Sequence, residues 1–430
     1  MSVSIPLYPE TLFGYYLQLT ALALGGWKGP VTGQIKVSSE NYVNLVNTAI
    51  NNIIQIRLGK QVSPNEVCNY LKGPRVYRSD SGFLKKADLP IPARIEPDKY
   101  WCVATMNYVN KVIEKQGPLD KTSYSLQPLR LLRATIYGTT RGVKRKEVED
   151  LVKNTTIDSL GLGLIGGLAS YIGSFKLKSK HNKRGEVYEY FLIPDGSPES
   201  LEYISEVLEA FHGTILGSDS LVDKIKKLAI IETKMNEKTH NKQETCKRKK
   251  EEEEEVTRTK GLSLDLATHF STLVQALETV NMNVMLRGAI DKMMFERFLL
   301  VRNVAGGNRP QIMWISPLAV SQIVTEVKAK NAEEVLINLY KLAQKLASLH
   351  VTSNISEKSD KKKNKALDPA SKCVNNIILY LWSGQLDFLA ECSRELAVLF
   401  DETLENKNMK DLEYDVYRLL SNITRLTKLR

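Results

Sequence analysis

Residues 128–193 run from PLRLLRATIYGTTRGVKRKEVEDLVKN (128–154) to SFKLKSKHNKRGEVYEYFLI (174–193), and this stretch decides the fold that we predict. Its pattern predicts two helices, an apolar glycine-rich segment and a two-stranded hairpin, in that order. In the first hairpin strand apolar residues alternate with lysines, and residues 181–185 supply the turn. The β-branched and aromatic run 187–193 predicts the return strand. This order of elements is that of a winged helix with a basic wing.

The positive charge of the chain is concentrated in one part of it. Between Arg75 and Arg184 there are 21 Lys and Arg against 10 Asp and Glu, a net charge of +11. The whole chain has 60 against 49, so the remaining residues balance at 39 against 39. A local positive surface attracts phosphate by releasing counterions. The charge pattern therefore predicts a nucleic-acid interface, and the alternative interpretation is a solvated basic face.

The candidate nucleic-acid contacts are basic side chains of this window and one amide. The amide is Asn182 at the predicted wing tip, where it would hydrogen-bond to base edges. A second group lies in 73–97, where proline and charged residues predict an irregular loop that either contacts nucleic acid or only connects two elements. The candidates are Lys144, Arg145, Lys146, Lys176, Lys178, Lys180, Lys183 and Arg184 in the module, and Arg75, Arg78, Lys85 and Lys86 in the loop.

Composition and cysteine usage bound the class of protein. The chain of 430 residues is 43% hydrophobic and 25% charged, which is typical of a globular protein of two or three domains. Its five cysteines are widely spaced and form no CxxC pair, which predicts neither a zinc ribbon nor a disulfide framework and favours a reducing, cytoplasmic setting. The uncharged runs 11–27 and 159–175 are 17 residues each, too short to span a bilayer, so we predict buried elements of a soluble protein.

One string has the form of a catalytic or cofactor motif. Residues 161–166, GLGLIG, match GxGxxG, but a dinucleotide site needs a strand before the string and a helix after it. A charged helix is predicted before this string and a basic hairpin after it, which favours close packing of an apolar element over cofactor binding. No phosphate-loop motif or metal-binding histidine spacing occurs. We therefore predict a protein with no catalytic residues, no cofactor and no metal site.

The chain divides into three regions by composition. Residues 1–231 predict an α/β domain facing nucleic acid, with the winged-helix-like module at 128–193. Residues 232–260 are a charged linker. Residues 261–430 show apolar positions at alternating spacings of four and three and no strand pattern, which predicts an all-α helical bundle with a lysine-rich loop at 353–368. The predicted fold class is α+β, a mixed α/β half followed by a helical half.

The first hundred residues give more local expectations. We predict a buried helix after Pro9, a strand at 34–37, and a helix capped by Ser38 or Ser39. A further helix should end at Gly117-Pro118. The apolar face of the helix after the serines is predicted to be Tyr42, Val46, Ala49, Ile50 and Ile53.

The opening segments YPETLFGYYLQ (8–18) and GGWKGPVTGQIKV (25–37), followed by an α/β half and a helical half, resemble the large subunit of archaeal type I-A CRISPR surveillance complexes. The resemblance implies a non-catalytic subunit at the crRNA 5′ end, together with backbone, 5′-end and small subunits. Such a subunit helps read the protospacer-adjacent motif, opens the duplex, holds the displaced strand and helps recruit the helicase–nuclease. Protein then reads a short motif while RNA–DNA pairing reads the rest.

A different class of function remains open at this point. A free-standing winged-helix transcriptional regulator that dimerises through its helical half would also show a basic module and a helical C-terminal half. The two hypotheses differ in stoichiometry. The regulator should purify alone as a symmetric dimer, whereas the complex subunit should need crRNA and partner proteins for tight binding to target DNA. No membrane partner is expected.

Overall fold

The computed structural model describes part of the chain. The described residues are 2–8, 13–31, 33–60, 62, 66–76, 80–90, 92, 95–119, 129, 131–133, 155–177, 186–194, 266–267, 298–304, 311–318, 333–355, 361–404, 414–418 and 421. The elements are β1 (Ser2–Pro6), α1 (Phe13–Leu24), β2 (Gln34–Ser38), α2 (Ser39–Leu58), α3 (Val67–Tyr70), α4 (Asp80–Lys86), α5 (Tyr100–Lys115), a 3₁₀ turn (Leu131–Arg133), α6 (Ile157–Ser170), β3 (Tyr171–Leu177), β4 (Glu186–Pro194), β5 (Phe298–Val304), β6 (Gln311–Leu318), α7 (Glu333–Ile355), α8 (Lys361–Ser383) and α9 (Asp387–Leu404).

The chain forms two compact units that are not continuous in sequence. The first unit comprises residues 1–175, 186–217 and 288–318. The second unit comprises residues 176–185, 218–287 and 319–430. The described elements include both helices and antiparallel sheets and are mostly helical. The prediction that the chain contains both helix and sheet is therefore confirmed. The linker predicted at 232–260 lies outside the described residues.

Two antiparallel sheets lie in the described part of the chain. β1 pairs with β2, with Ser2 opposite Ser38. The larger sheet has the order β3-β4-β5-β6, and both β4–β5 and β5–β6 are antiparallel. The prediction of an all-α half over 261–430 is therefore wrong at 298–318, where the two strands extend a sheet begun more than 100 residues earlier.

The same pairing corrects the predicted wing. The strands themselves are confirmed, since β3 and β4 cover the expected run and are neighbours in the sheet. The prediction of a two-stranded wing is wrong, because β4 is bonded to β5 from Tyr188 to Pro194 and is an inner strand. Every residue from Val187 to Ile193 is buried, whereas a wing strand would leave one face in solvent. The helices predicted at 128–154 lie largely outside the described residues.

Several local predictions for the first unit are confirmed. α1 follows Pro9, β2 covers the predicted strand, and α5 ends at Lys115, two residues before Gly117. Ser38 caps α2, because its hydroxyl accepts a hydrogen bond from the backbone N–H of Asn41. The predicted apolar face of α2 is buried at all five positions: Tyr42, Val46, Ala49, Ile50 and Ile53.

The glycine string of α6 is a helix-packing surface. A Cβ atom on Gly166 would lie 1.6 Å from the carbonyl oxygen of Leu17, and one on Gly161 would lie 2.0 Å from the ring of Tyr108. Backbone hydrogen is therefore all that fits where α6 meets α1 and α5. All residues of α6 from Asp158 to Ser170 are buried. The packing interpretation of GxGxxG is confirmed, and the strand–turn–helix of a dinucleotide site is not what these residues form.

The two uncharged runs of the sequence are the central layer of the first unit. They form α1 and the segment α6–β3, and α1 packs directly on α6. Gln18 of α1 is fully buried and ties three segments together. Its carbonyl oxygen accepts from the N–H of Tyr8 at 2.7 Å, and its amide nitrogen donates to both oxygens of Ser159 at 2.8 Å. Within the described part of the chain, none of the helices combines the length and apolar character that crossing a bilayer requires.

A series of buried hydrogen bonds links α6 to α2 and α5. The hydroxyls of Tyr42 and Tyr108 are hydrogen-bonded to each other, and Tyr108 donates to the carboxylate of Asp158 at 2.9 Å. Burial, followed by the charge of Asp158, raises the pKa of Tyr108 well above its ordinary value of 10.0. These hydrogen bonds give the buried Asp158 carboxylate a donor in the core, where an unpaired carboxylate is costly. They fix α2, α5 and α6 relative to one another.

The second unit contains the long helices α7, α8 and α9. α7 packs on α8, and α8 packs on α9. The lysine-rich loop predicted at 353–368 is wrong in part, because α7 continues to Ile355 and residues 361–368 are the first turns of α8. The single helix predicted from Val374 to about residue 404 is two helices, separated at Gly384, whose φ of 71° stops α8.

Two disulfides correct the expectation from cysteine spacing. Cys68 of α3 is bonded to Cys102 of α5, and Cys373 of α8 to Cys392 of α9. The paired cysteines are 34 and 19 residues apart in sequence, so no short sequence motif predicts either disulfide. Disulfides are typical of oxidising compartments and also of intracellular proteins from hyperthermophiles, and cysteine usage therefore does not identify the compartment of this protein.

Candidate nucleic-acid interface

Helix α4 presents two of the predicted contacts, Lys85 and Lys86. The prediction of an irregular loop over 73–97 is wrong here, because Asp80 in the first turn and the two lysines in the last turn complement the helix dipole. Leu84 is fully buried and anchors the helix, and the turn is closed by hydrogen bonds such as Leu89 N–H to the Leu84 carbonyl at 2.8 Å. Both lysines are exposed at the end of this helix. They are available to a phosphate.

Arg75 lies in a fixed strip, residues 71–76, just before α4. The N–H of Gly73 donates to the Asp98 carbonyl at 2.9 Å, and Lys72 pairs with the Asp98 carboxylate at 3.3 Å. Gly73 fits against Trp101, because a Cβ at this glycine would come within 3.0 Å of the Trp101 Cβ. The N–H of Arg75 then donates to a carboxylate oxygen of Glu189 at 2.7 Å. The backbone of the strip is thus hydrogen-bonded to Asp98 at Gly73 and to Glu189 at Arg75.

Glu189 is a fully buried carboxylate in the inner strand β4. The charge of Glu189 raises the pKa of the neighbouring Tyr171, while the charges of Arg57 and Arg75 lower it. The largest effect on Tyr171 is burial, and the net result is a pKa well above the ordinary value. These four side chains come from α2, the strip, β3 and β4, and we refer to them as the Glu189 cluster.

Arg57 supplies the second cation of the Glu189 cluster. Its guanidinium donates to the Leu168 carbonyl at the end of α6, at 2.8 Å. Burial lowers the pKa of Arg57 to about 10, and the proximity of Tyr171 acts in the opposite direction. A guanidinium on the last carbonyls of a helix is favourable for the helix dipole. Arg75 is half-buried and its backbone N–H is bound to Glu189, so it is a weaker candidate for phosphate than the two exposed lysines of α4.

The remaining predicted contacts are only partly placed. Lys176 is the sixth residue of β3, of which the structure describes the backbone at this position. The others lie outside the described residues: Arg78, Lys144, Arg145, Lys146, Lys178, Lys180, Asn182, Lys183 and Arg184. Of the predicted set, the described structure therefore brings Lys85 and Lys86 together on one exposed helix end and places Arg75 in a different, half-buried environment.

The sequence reasoning missed Glu189, Arg57 and Tyr171 as members of one cluster. A signal for Glu189 was present, since it is the only charged residue in the run VYEYFLI (187–193). A lone carboxylate in an otherwise apolar strand needs an internal partner, because an unpaired buried charge is costly. The identity of that partner had no sequence signal, since Arg75 lies 114 residues away.

No protein-family model, curated protein or solved structure matches this chain. Within the described ranges, no group of three or more His, Cys, Asp or Glu side chains is placed to hold a metal ion.

Proposed function

We propose that this chain is the non-catalytic large subunit of a type I-A CRISPR interference complex. In this role it binds target DNA, helps read the protospacer-adjacent motif and open the duplex, holds the displaced strand, and helps recruit the helicase–nuclease. Its partners are crRNA and the backbone, 5′-end and small subunits, and its setting is cytoplasmic. The proposal takes its family from the resemblance of the segments 8–18 and 25–37.

One observation carries the nucleic-acid part of the proposal. The whole net charge of +11 lies between Arg75 and Arg184, and the other residues balance. The geometry of α4 supports this interpretation, because Lys85 and Lys86 are exposed on a helix whose inner side is anchored by Leu84. Exposed cations of one sign attract the phosphate backbone and steer encounter with it.

A tagged pull-down from the native host tests the assignment to a complex. Proteins are identified by mass spectrometry, and bound RNA is sequenced. We expect crRNA and the repeated subunits that form the backbone of the complex, in stoichiometric amounts. Recovery of the chain alone as a symmetric dimer, or with promoter DNA, would overturn the proposal in favour of a regulator of transcription.

A salt titration of duplex binding tests the basic surface directly. The double substitution Lys85→Ala/Lys86→Ala should make the slope of log K against log salt shallower by about two, roughly one unit for each lost phosphate contact. The control is Lys341→Ala/Lys372→Ala, which removes the same charge from exposed positions of the second unit. Equal slopes for both variants and the unchanged protein would exclude α4 from the interface.

Charge reversal across β3 and the adjoining turn tests the other half of the prediction. Lys176, Lys178, Lys180, Lys183 and Arg184 are changed together to Glu. We expect weaker DNA binding and a shallower salt slope than in the unchanged protein. An unchanged slope would exclude this segment from the interface.

A further inference from the structure

Helix α2 carries an exposed face made almost entirely of neutral amides. Its inner face is the buried apolar row, and its solvent side is formed by polar residues at helical spacing. The N-terminal Glu40 is the one charged residue that is fully exposed along the helix. We call the following residues the amide face: Asn41, Asn44, Asn47, Thr48, Asn51 and Gln55.

This composition is unusual for the chain in which it occurs. One residue in four of the protein is charged, yet residues 41–60 contain no Asp or Glu. Asparagine is also a poorer helix former than alanine, lysine or glutamate, so helix stability alone does not account for four exposed asparagines in one helix. Asn52, the half-buried one, has a structural role, because it donates to the Leu24 carbonyl at 2.8 Å. The exposed amides have no such bond to another element among those the structure gives; Asn51 donates only to Asn47, at 3.4 Å.

The end of the amide face carries a cation and an exposed aromatic ring. The ammonium group of Lys60 lies 4.5 Å from the centre of the Tyr70 ring. Tyr70 is 54% exposed, which is high for an aromatic side chain of this unit. Lys60 follows the C-terminal glycine of α2, so the pair continues the surface beyond the last amide. Amides, a cation and an exposed aromatic ring are, in combination, the groups with which proteins contact nucleic acid.

We propose that the amide face of α2 reads base edges of duplex DNA, with Lys60 and Tyr70 contacting the backbone at its end. The proposal rests on the proposed function and assigns its motif-reading step to a surface outside the basic window. Asn and Gln side chains offer a donor and an acceptor together, which matches adenine in the major groove. The one carboxylate of the helix is Glu40 in its first turn, and residues 41–60 carry none that would repel phosphate along the amide face.

The dimensions of the helix fit this role. Asn44 and Gln55 are eleven residues apart, which corresponds to about 16 Å of helix or the rise of about five base pairs. The major groove is about 12 Å wide and admits one helix. A protein partner is the less suitable occupant, because no exposed residue of α2 is apolar, whereas stable protein interfaces have an apolar or aromatic centre.

The test is a selection from a duplex library with a randomised segment, using the full chain in its complex with RNA and partner subunits. The variant is Asn44→Ala/Asn47→Ala/Asn51→Ala, which raises helix propensity and removes no charge. The matched control is Asn375→Ala/Asn376→Ala, two half-buried amides of α8 in the second unit. Thermal unfolding of each protein checks that the fold is retained.

We expect the unchanged protein and the control to select a short motif, and the triple variant to lose preference at one or more positions. At each position that a removed amide contacts, the preference for the selected base should fall at least about fivefold. The slope of log K against log salt should stay the same. Selection of the same motif by the triple variant would overturn the inference, as would binding without any preference by the unchanged protein. Loss of a protein subunit from the complex with the motif preserved would assign the face to that subunit instead.

The two sets of variants distinguish failure of the amide-face inference from failure of the proposed function. If Lys85→Ala/Lys86→Ala flattens the salt slope and the triple variant changes nothing, DNA binding stands and the amide face is not the reader. If the unchanged complex contains no crRNA and binds no duplex, the proposed function fails and the inference fails with it.

Discussion

Helices α6 and α4 both lie in the basic window between residues 75 and 184, but they occupy opposite environments. α6 is buried around its whole circumference and carries four glycines against neighbouring helices. α4 buries Asp80 and Leu84 and leaves Lys85 and Lys86 in solvent. A regional excess of charge therefore does not mark every element of the region as surface. The chain uses the same window to build its core and to present its exposed lysines.

The largest test of this comparison exchanges one glycine in each helix for alanine. At Gly166 the new Cβ meets the carbonyl of Leu17, and since backbone cannot move aside cheaply, we expect unfolding free energy to fall by about 3 kcal/mol or more. At Gly82 of α4 no atom lies within 4 Å of the new Cβ, so Gly82→Ala should stabilise by up to about 1 kcal/mol. Urea unfolding followed by tryptophan fluorescence measures both. Equal effects at the two positions would show that α6 is not packed as described.

The second test compares a buried carboxylate with an exposed one. Glu189→Ala leaves the part-buried N–H of Arg75 without its acceptor, so we expect a loss of about 1–3 kcal/mol. Glu189→Gln keeps an oxygen for the N–H and should cost less. The control is Glu96→Ala, which breaks an exposed i,i+3 pair with Lys99 and should cost less than about 1 kcal/mol. If alanine and glutamine variants of Glu189 prove equally stable, the hydrogen bond to Arg75 contributes little.

The smallest effect is a dependence of stability on alkaline pH. The pKa of Tyr171 is raised above its ordinary value of 10.0, first by burial and then by Glu189, so the folded state favours the neutral phenol. Its contribution is complete below pH 10 and is lost as the pH rises from there through the folded-state pKa. We expect urea unfolding between pH 9 and 11 to show a smaller loss of stability in Tyr171→Phe than in the unchanged protein.

Tyr108 keeps part of that pH dependence in the Tyr171→Phe variant, because its own pKa is raised by burial and Asp158. The control is Tyr70→Phe, at an exposed ring, which should retain the slope of the unchanged protein. A Tyr171→Phe variant with the full slope would mean that Tyr171 ionises as readily in the folded protein as in the unfolded chain.

Elements with a local, periodic signal could be predicted from the sequence. The Ser38 cap and the apolar row of α2 depend only on residues within a few turns of each other, and both are confirmed. The packing role of the glycine string was predicted from its flanking elements and is confirmed as well. The strands β5 and β6 were missed because their apolar residues lie in a region dominated by helical spacing, and only pairing with β4 defines them as strands.

The candidate interface was predicted in outline but not in its internal arrangement. Lys85 and Lys86 are exposed as the interpretation requires, yet they stand on a helix where a loop was expected. Arg75 was grouped with them because all are basic and close in sequence. The structure separates them, because a carboxylate from β4 binds the backbone of Arg75 from inside the fold.

The sequence by itself determined the cap and the apolar face of α2, the burial of the two uncharged runs, and the gathering of positive charge between residues 75 and 184. These properties are local or additive along the chain. Only the tertiary structure decided that Glu189 meets Arg75, that Cys68 meets Cys102, and that β5 and β6 complete a sheet begun at Tyr171. Each of these depends on a partner that is distant in sequence, and its position is set by the packing of the whole unit.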